Sequence, residues 1–227
     1  MELHSLCLSD EILIPDAILS EAEKSRAAAF RSRAARRLFV AGRILCRNVI
    51  GSLIGCGPQA VSLAITPAGR PYLRDCPDID FNLSHIKGAI ALAICRGGRV
   101  GIDIESLDAF SEKEASEIMP MILSEQEFNQ VQQLEGRHRH DAFLACWVQK
   151  EAVLKCFGQG FLADPLGVTL APGSATLSSR ISLSDERIFI QSGRMSGAES
   201  GDFQWSIATS SAVSTPIWQH HKSGIFF

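Results

Sequence analysis

The sequence predicts an α+β fold of two similar halves, in which each half is a small antiparallel sheet packed with helices. Apolar residues recur at helical spacing in residues 21–54 and again in residues 141–157. Segments typical of strands follow each helical region, and residues 89–95 and 203–208 are the clearest of them. Helices and strands that come in blocks, and do not strictly alternate, indicate an α+β architecture.

The first half is predicted to hold two helices followed by strands. Residues 21–54 give the helices, which end where Gly55-Cys56-Gly57-Pro58 breaks helical structure. Strands are predicted at residues 60–65, 80–83, 89–95 and 99–105. The last two form a hairpin around the Gly97-Gly98 turn. We place the boundary between the halves there, which gives an N-terminal unit of residues 1–99 and a C-terminal unit of residues 100–227.

The second half repeats this order, with helices before strands. Ser124 and Glu127 form a capping box, which predicts the start of a helix. Gly158 and Gly160 are expected to end the longest helix. The helices are predicted at residues 111–121, 124–134 and 141–157, and the strands at residues 187–191 and 203–208.

Composition excludes several classes of protein. Of 227 residues, 46% are hydrophobic and 21% are charged, which is typical of a globular chain. A net charge of -3 argues against a general nucleic-acid-binding protein. We find no signal peptide and no membrane segment, and the seven scattered cysteines contain no C-x-x-C pair. We therefore expect a cytoplasmic location, reduced thiols, no nucleic-acid partner and no membrane partner. His220 and His221 are expected to lie in a solvated tail.

Two carboxylates on one predicted strand are the first candidate site. Side chains alternate along residues 99–105, so Asp103 and Glu105 share a face with Gly101 while the apolar residues between them face the core. Two like charges on one face favour a cation between them, and oxygen ligands suit Mg²⁺. A solvated strand edge is the alternative interpretation of the same pattern.

One face of the longest helix is the second candidate site. Trp147, Glu151 and Lys155 are spaced four residues apart, so they share that face, whereas Lys150 points elsewhere. Glu151 and Lys155 could be an ordinary surface ion pair. The tryptophan on the same stripe indicates instead that the face is partly buried.

Phosphate-binding candidates lie in the first half. Ser84 and His85 end a predicted strand and can both donate hydrogen bonds to phosphate. Arg70 lies in a tight Gly69-Arg70-Pro71 turn, which would fix its guanidinium. A structural histidine and an exposed turn arginine are the alternatives. From Lys24 to Arg47 the chain has eight basic residues and no acidic one, which indicates either a solvated helix face or a polyanion site.

In their order and spacing, these stretches resemble the Sfp-type 4'-phosphopantetheinyl transferases. The matching motifs are G-R-P-Y-L, F-N-L-S-H, V-G-I-D-I-E, and W-x-x-K-E-A-x-x-K followed by G-x-G, and the resemblance covers residues 36–162. It implies two halves related by a pseudo-twofold, with coenzyme A bound in an active site at the seam between them. A single chain that holds both halves can act as a monomer.

The resemblance also implies a reaction. Enzymes of this family move the 4'-phosphopantetheine arm of coenzyme A onto a serine hydroxyl of an apo acyl or peptidyl carrier protein, and adenosine 3',5'-bisphosphate is released. Asp103, Glu105 and Glu151 would hold Mg²⁺, with Mn²⁺ as the alternative ion. Glu151, or else Glu105, would accept the serine proton, and Lys155 would contact the phosphate groups.

The remaining implied contacts are to coenzyme A and the carrier. Ser84, His85 and Arg70 would bind coenzyme A phosphates, although the family usually has lysine at the position of Arg70. Arg37 is a further contact, and Arg43 is a weaker candidate. Ile86 stands where many relatives have a second hydroxyl, so one phosphate contact is lost. The carrier is acidic, which makes a basic cluster its candidate docking surface by charge alone: Arg137, His138, Arg139 and His140.

Two other functions would use the same residues. A metal-dependent hydrolase of a pyrophosphate or phosphodiester would use the carboxylates to activate water. A non-catalytic module would bind coenzyme A or a carrier protein without turnover. Both rank behind the transferase, because mere binding does not require three carboxylates and a lysine.

Overall fold

The computed structural model describes residues 1–8, 17–158, 164–170, 179–183, 186–197, 201–212 and 217–222. The elements before the seam are β1 (Glu2–Cys7), α1 (Glu21–Ala28), α2 (Arg33–Ile54), β2 (Leu63–Ile65), β3 (Pro71–Leu73), β4 (Ile79–Ile86) and β5 (Ala89–Arg96). Those after it are β6 (Val100–Ser106), α3 (Glu112–Ile122), α4 (Glu125–Gln132), α5 (Gly136–Phe157), β7 (Ser179–Leu183), β8 (Glu186–Gly197), β9 (Gly201–Thr209) and β10 (Trp218–Lys222). None of the helices in these ranges combines the length and hydropathy needed to cross a membrane.

Two four-stranded sheets form the framework, which confirms the predicted α+β fold. Their strand orders are β10-β1-β5-β4 and β6-β9-β8-β7, and β2 and β3 form a small ribbon of their own. The second sheet is antiparallel, but β10 runs parallel to β1, so the first sheet is mixed and not purely antiparallel. Because β10 comes from the end of the chain and joins the first sheet, the division into residues 1–99 and 100–227 stays a prediction.

Apolar layers hold the sheets and helices together. Helix α2 places buried Leu45 and Ile50 against the first sheet. On the other face of that sheet, small β5 residues such as Ala91 and Ala93 pack against Ile102 and Trp205 of the second sheet. This layer confirms that the apolar residues of β6 face the core. Burying such side chains is worth about 1.5–3 kcal/mol each.

Local sequence signals correctly indicate where most of the helices begin and end. The two predicted helices of residues 21–54 are confirmed, with a break between Ala28 and Arg33. The Ser124–Glu127 capping box is present. Helix α5 begins at Gly136, earlier than predicted, and ends at Gly158, whose φ of 71° is the left-handed conformation that glycine tolerates. Gly160 lies outside the described residues.

Some strand predictions needed correction. Residues 89–95 and 99–105 do lie in strands, but the predicted hairpin is wrong, because β5 pairs with β1 and β4 whereas β6 pairs with β9 in the other sheet. The predicted strand at residues 60–65 is shorter, because Pro58 begins a 3₁₀ turn over Pro58–Ala60 and extended pairing starts only at Leu63. Strands β1, β3, β7 and β10 were not predicted. Each is only 3–6 residues long, and its pairing partner supplies the stability that its own sequence pattern does not show.

Lys150 points away from the Trp147 face, as predicted, and joins three helices. It is 1% exposed, and its Nζ lies 2.7 Å from a carboxylate oxygen of Glu127. The same amine donates to the carbonyls of Ile122 and Pro165. A buried charge with this many partners is a structural group, because removing any partner would leave a desolvated charge behind.

Stacked imidazoles join β10 to β1. The expectation that His220 and His221 lie in a tail is wrong, because both lie in β10 and pair with β1, although His220 is exposed as expected and His221 is half-buried. Nδ1 of His4 lies 2.9 Å from Nε2 of His221, and the rings stack. Burial lowers the pKa of His4, against the raising effect of Glu2. Burial, followed by repulsion from His4 and His220, lowers the pKa of His221.

The lowered pKa of His221 predicts a loss of stability in mild acid. The unfolded chain, with a histidine pKa of 6.5, binds protons more readily than the folded chain, so the free energy of unfolding falls as the pH drops below that value. Between about pH 7.5 and about pH 5.5, urea titrations should show a larger loss for the wild type than for His221→Asn. The exposed-residue control His138→Asn should behave as the wild type. Equal losses in His221→Asn and the wild type would contradict this explanation.

Candidate active site

The seam between the sheets is built from side chains of β4 and backbone amides of β6. Carboxylate and amide oxygens of Asp80 and Asn82 accept from the N–H groups of Val100 and Ile102 at 2.8 and 2.9 Å. Further along, Oγ of Ser84 accepts from the N–H of Ile104 at 3.3 Å. Side chains of β4 thus take the place of a backbone partner at the β6 edge and join the two sheets there.

Helix α5 lies directly on β6, and Gly101 makes this possible. A Cβ added to Gly101 would overlap backbone atoms of Ala152 and Cys156, so no other residue type allows the helix to come this close. The next residue on that face of β6 is Asp103. The contact brings Lys155 of α5 to the Asp103 carboxylate and places Glu151 in the same cleft. Each of the two faces was predicted from the sequence pattern.

Asp103 is the buried centre of the site, at 3% exposed. Its Oδ1 accepts from Nζ of Lys155 at 2.5 Å and from Oγ of Ser84 at 2.9 Å. Nζ of Lys155 also lies 3.1 Å from Oγ of Ser84. Within the described part of the chain, Oδ2 of Asp103 is buried and has no hydrogen-bond partner. An orphaned carboxylate oxygen of this kind calls for a further ligand.

The Asp103 charge affects two more carboxylates, Glu105 and Glu151. Burial, followed by the Asp103 charge, raises the pKa of Glu105 to about 7, although Nε1 of Trp147 donates to its carboxylate at 3.3 Å and opposes the shift. Burial and the Asp103 charge also raise the pKa of Glu151, against the effect of Lys155. Keeping these carboxylates ionised together therefore costs free energy unless a cation binds between them.

The donor set fits Mg²⁺, the ion implied by the sequence motifs. Three carboxylates supply hard oxygen ligands, and the orphaned Oδ2 of Asp103 is one that lacks a partner. In the arrangement described, Lys155 is the cation next to Asp103. Across the described ranges, no three His, Cys, Asp or Glu side chains already surround a common metal position. The ligand set of Asp103, Glu105 and Glu151 therefore stays a prediction.

The candidate residues line one cleft of about 540 Å³. Asp103, Glu105, Trp147, Glu151 and Lys155 lie on its β6 and α5 side. The lining also includes Arg70, Ser84 and His85. The structure thus brings together residues that the sequence placed on separate elements.

A smaller pocket of about 320 Å³ adjoins the cleft and shares Ser84 and His85 with it. Arg43 lines this pocket, 8% exposed, with its guanidinium 5.3 Å from the ring centre of Phe39. Arg26 lines both cavities but was not among the predicted site residues. It lies in the basic run of α1 and α2, which was the one sequence signal that could have identified it. Arg37 is half-buried on α2 and lines neither cavity, so its contact with coenzyme A stays a prediction.

Comparisons with known proteins show the family of the chain. Residues 99–208 match the family described as the 4'-phosphopantetheinyl transferase superfamily, and residues 8–96 match 4'-phosphopantetheinyl transferase, N-terminal. The chain is 30% identical over 160 residues to the 4'-phosphopantetheinyl transferase HetI of Nostoc sp., covering 69% of this chain and 67% of that protein. This chain belongs to the 4'-phosphopantetheinyl transferase superfamily. The resemblance stated from its motifs is confirmed.

Two further matches of this chain cover shorter stretches. It is 29% identical over 125 residues to the 4'-phosphopantetheinyl transferase Sfp of Bacillus subtilis, covering 55% of this chain and 53% of that protein. A crystal structure of a holo-(acyl-carrier-protein) synthase from Bacillus anthracis, in complex with CoA (3',5'-ADP), shares 22% identity at a TM-score of 0.40, covering 49% of this chain and 93% of that chain. The transferase spans about two thirds or less of the curated relatives it matches.

Proposed function

We propose that this transferase moves the 4'-phosphopantetheine group of coenzyme A onto a serine hydroxyl of an apo acyl or peptidyl carrier protein, with release of adenosine 3',5'-bisphosphate. One observation carries the proposal. A single cleft holds the carboxylates Asp103, Glu105 and Glu151, which can hold a cation and accept a proton, and Lys155, Ser84 and His85, which can bind phosphate. Family membership makes coenzyme A and a carrier the substrates to test.

Charge neutralisation is the first task of the site. Asp103, Glu105 and Glu151 would hold Mg²⁺, with Mn²⁺ as the alternative. When bound, the ion supplies positive charge to the diphosphate of coenzyme A. Lys155 is 25% exposed on its side chain, so its amine can reach a phosphate oxygen in the cleft while it remains beside Asp103. Such fixed positive groups are the main contribution of proteins to phosphoryl transfer.

Proton transfer is the second task, and Glu151 is the favoured base. A serine hydroxyl is a poor nucleophile at neutral pH until a carboxylate accepts its proton. Glu105 accepts the Trp147 N–H and is held in place, whereas Glu151 makes no hydrogen bond to the described residues. The Glu151 carboxylate is therefore the more available acceptor, directly or through a water molecule, and Glu105 is the second choice.

The test is labelling of a carrier. Wild-type enzyme, incubated with Mg²⁺, fluorescent coenzyme A and a panel of apo acyl and peptidyl carrier proteins, should transfer the label to at least one of them. We expect Glu151→Gln to lower the labelling rate by about 100- to 10,000-fold, because it removes the base and a metal ligand. Glu135→Gln is the matched control, since Glu135 is exposed at the start of the same helix and makes no capping hydrogen bond.

The first of three outcomes would overturn the role given to Glu151, and the other two would overturn the proposed function. Normal labelling by Glu151→Gln would exclude its role in the reaction. Release of adenosine 3',5'-bisphosphate from coenzyme A without any carrier would favour a hydrolase. Tight binding of coenzyme A with no labelling of any carrier would favour a binding module.

The carrier surface, location and oligomeric state belong to the same proposal. Of the basic cluster predicted to dock the carrier, Arg137 pairs with Asp141 and Asp108, and His140 bonds the carbonyl of Phe110. His138 is exposed and Arg139 is half-buried. Docking there, a cytoplasmic location and a monomeric state stay predictions.

A further inference from the structure

The guanidinium of Arg70 is bound to the protein on three sides of the seam. Its Nη2 donates to Oδ2 of Asp80 at 2.7 Å and to the carbonyls of Val100 and Phe81 at 2.8 and 3.2 Å. Its Nη1 donates to the backbone carbonyl of Lys155. The side chain is 13% exposed. One residue thus joins β4, the start of β6 and the last turn of α5.

Local structure fixes Arg70 in this position. Gly69 has a φ of 85° and closes a tight turn in which the N–H of Arg70 donates to Oγ1 of Thr66 and its carbonyl accepts from the N–H of Thr66. On the opposite side, Gly158 ends α5, and a Cβ at Gly158 would be 3.5 Å from Cδ of Arg70. The turn and the helix end are therefore fitted around the arginine.

Arginine suits this role better than lysine. Its planar group carries five N–H donors in a fixed fork and can reach acceptors that lie in different directions. A lysine amine has its donors on a single atom and could not reach the carbonyl of Lys155 and the acceptors on β4 and β6 together. The guanidinium is also already paired with a carboxylate, so a phosphate would have to compete with Asp80 for it.

We infer that Arg70 is a positioning residue for Lys155, and not a ligand of a coenzyme A phosphate. By binding the Lys155 carbonyl and β6 at once, it holds the last turn of α5 against the strand that carries Asp103. The Lys155 amine is thereby kept at Asp103 and Ser84. The kinetic part of this inference rests on the proposed function, whereas the placement of Lys155 can be measured without any reaction.

Arg70→Lys separates the two roles. Lysine is the residue usual in the family at this position. The variant would therefore keep a positive charge that can bind phosphate, but it would lose the planar guanidinium that reaches several acceptors at once. We expect kcat to fall by about 10- to 100-fold, because small misplacements of reacting groups carry penalties of this size. The KM for coenzyme A and the calorimetric Kd for adenosine 3',5'-bisphosphate should change by less than about twofold, since positioning does not alter ground-state binding. Arg74→Lys, at an exposed arginine, is the matched control.

Lysine acetylation measures the placement of Lys155 directly. With limiting acetic anhydride and mass spectrometry, Lys155 in the wild type should react more slowly than exposed Lys113, because its amine is held at Asp103. In Arg70→Lys its rate should rise about fivefold or more, as local opening of the last turn frees the amine. Buried Lys150, on the same helix, should stay unreactive. Asp80→Asn removes the charge that pairs with Arg70 but keeps an oxygen that can accept from the N–H of Val100. It should raise the acetylation rate of Lys155 to a smaller extent, and it replaces Arg70→Lys if that variant does not fold.

Each contrary result overturns the inference. An unchanged acetylation rate at Lys155 would mean that Arg70 does not position it. A joint rise at Lys150 and Lys155 would mean that Arg70 only stabilises the fold. Weaker binding of adenosine 3',5'-bisphosphate with unchanged acetylation would make Arg70 a phosphate ligand. If the wild type labels no carrier, the proposed function fails, and the acetylation and binding measurements still decide the role of Arg70.

Discussion

Asp103→Asn should lower the rate of carrier labelling by about 100- to 1,000-fold or more. The substitution keeps the shape of the side chain but removes the charge that faces Lys155 and the orphaned oxygen assigned to Mg²⁺. Mn²⁺ affinity, measured by calorimetry or electron paramagnetic resonance, should weaken by more than about tenfold. This second measurement does not depend on turnover.

Asp108→Asn is the control for this experiment. Asp108 follows the same strand but is exposed, and it makes only a surface ion pair with Arg137. It should label carriers and bind Mn²⁺ as the wild type does. Wild-type Mn²⁺ affinity in Asp103→Asn would show that Asp103 is not a metal ligand, and wild-type labelling would remove it from the reaction.

Gly101→Ala should destabilise the protein by about 3 kcal/mol or more and greatly reduce labelling. The added methyl group would overlap backbone atoms of α5, which cannot rotate away as a side chain could. The helix must therefore move off β6, and Glu151 and Lys155 would move with it away from Asp103. Urea titration measures the loss of stability, and labelling at a temperature where the variant is folded measures the loss of alignment.

Gly167→Ala is the matched control for the glycine change. Gly167 is exposed, and an added Cβ there would have no atom within 4 Å. Its free energy of unfolding should stay within about 0.5 kcal/mol of the wild-type value. If Gly101→Ala were as stable and as active as the wild type, the close approach of α5 to β6 would not be what aligns the site.

The sequence was sufficient to predict the faces on which the site residues lie. Alternation in β6 and four-residue spacing in α5 are local patterns, and they correctly grouped Asp103 with Glu105 and Trp147 with Glu151 and Lys155. That these two faces meet is a tertiary fact. Only the resemblance to a family implied it, because no local pattern shows that Gly101 admits a helix backbone.

Other features depend on long-range pairing or on partners that no local pattern reveals. The parallel pairing of β1 with β10 joins opposite ends of the chain, so neither strand could be assigned from its own few residues. In the sequence, Arg70 is recognisable only as a charged turn residue, and both phosphate-binding and positioning residues have this property. Its hydrogen bonds to Asp80 and to the Lys155 carbonyl distinguish the two, and they exist only in the folded chain.

The position of β10 has a consequence for synthesis on the ribosome. Strand β1 is made well before β10, so one of its edges stays uncovered until residues 218–222 have left the exit tunnel. Until then the nascent chain carries an open edge with unpaired amides and carbonyls, which favours association with other chains. Completion of this sheet therefore waits for the synthesis of β10, although its other strands are translated earlier.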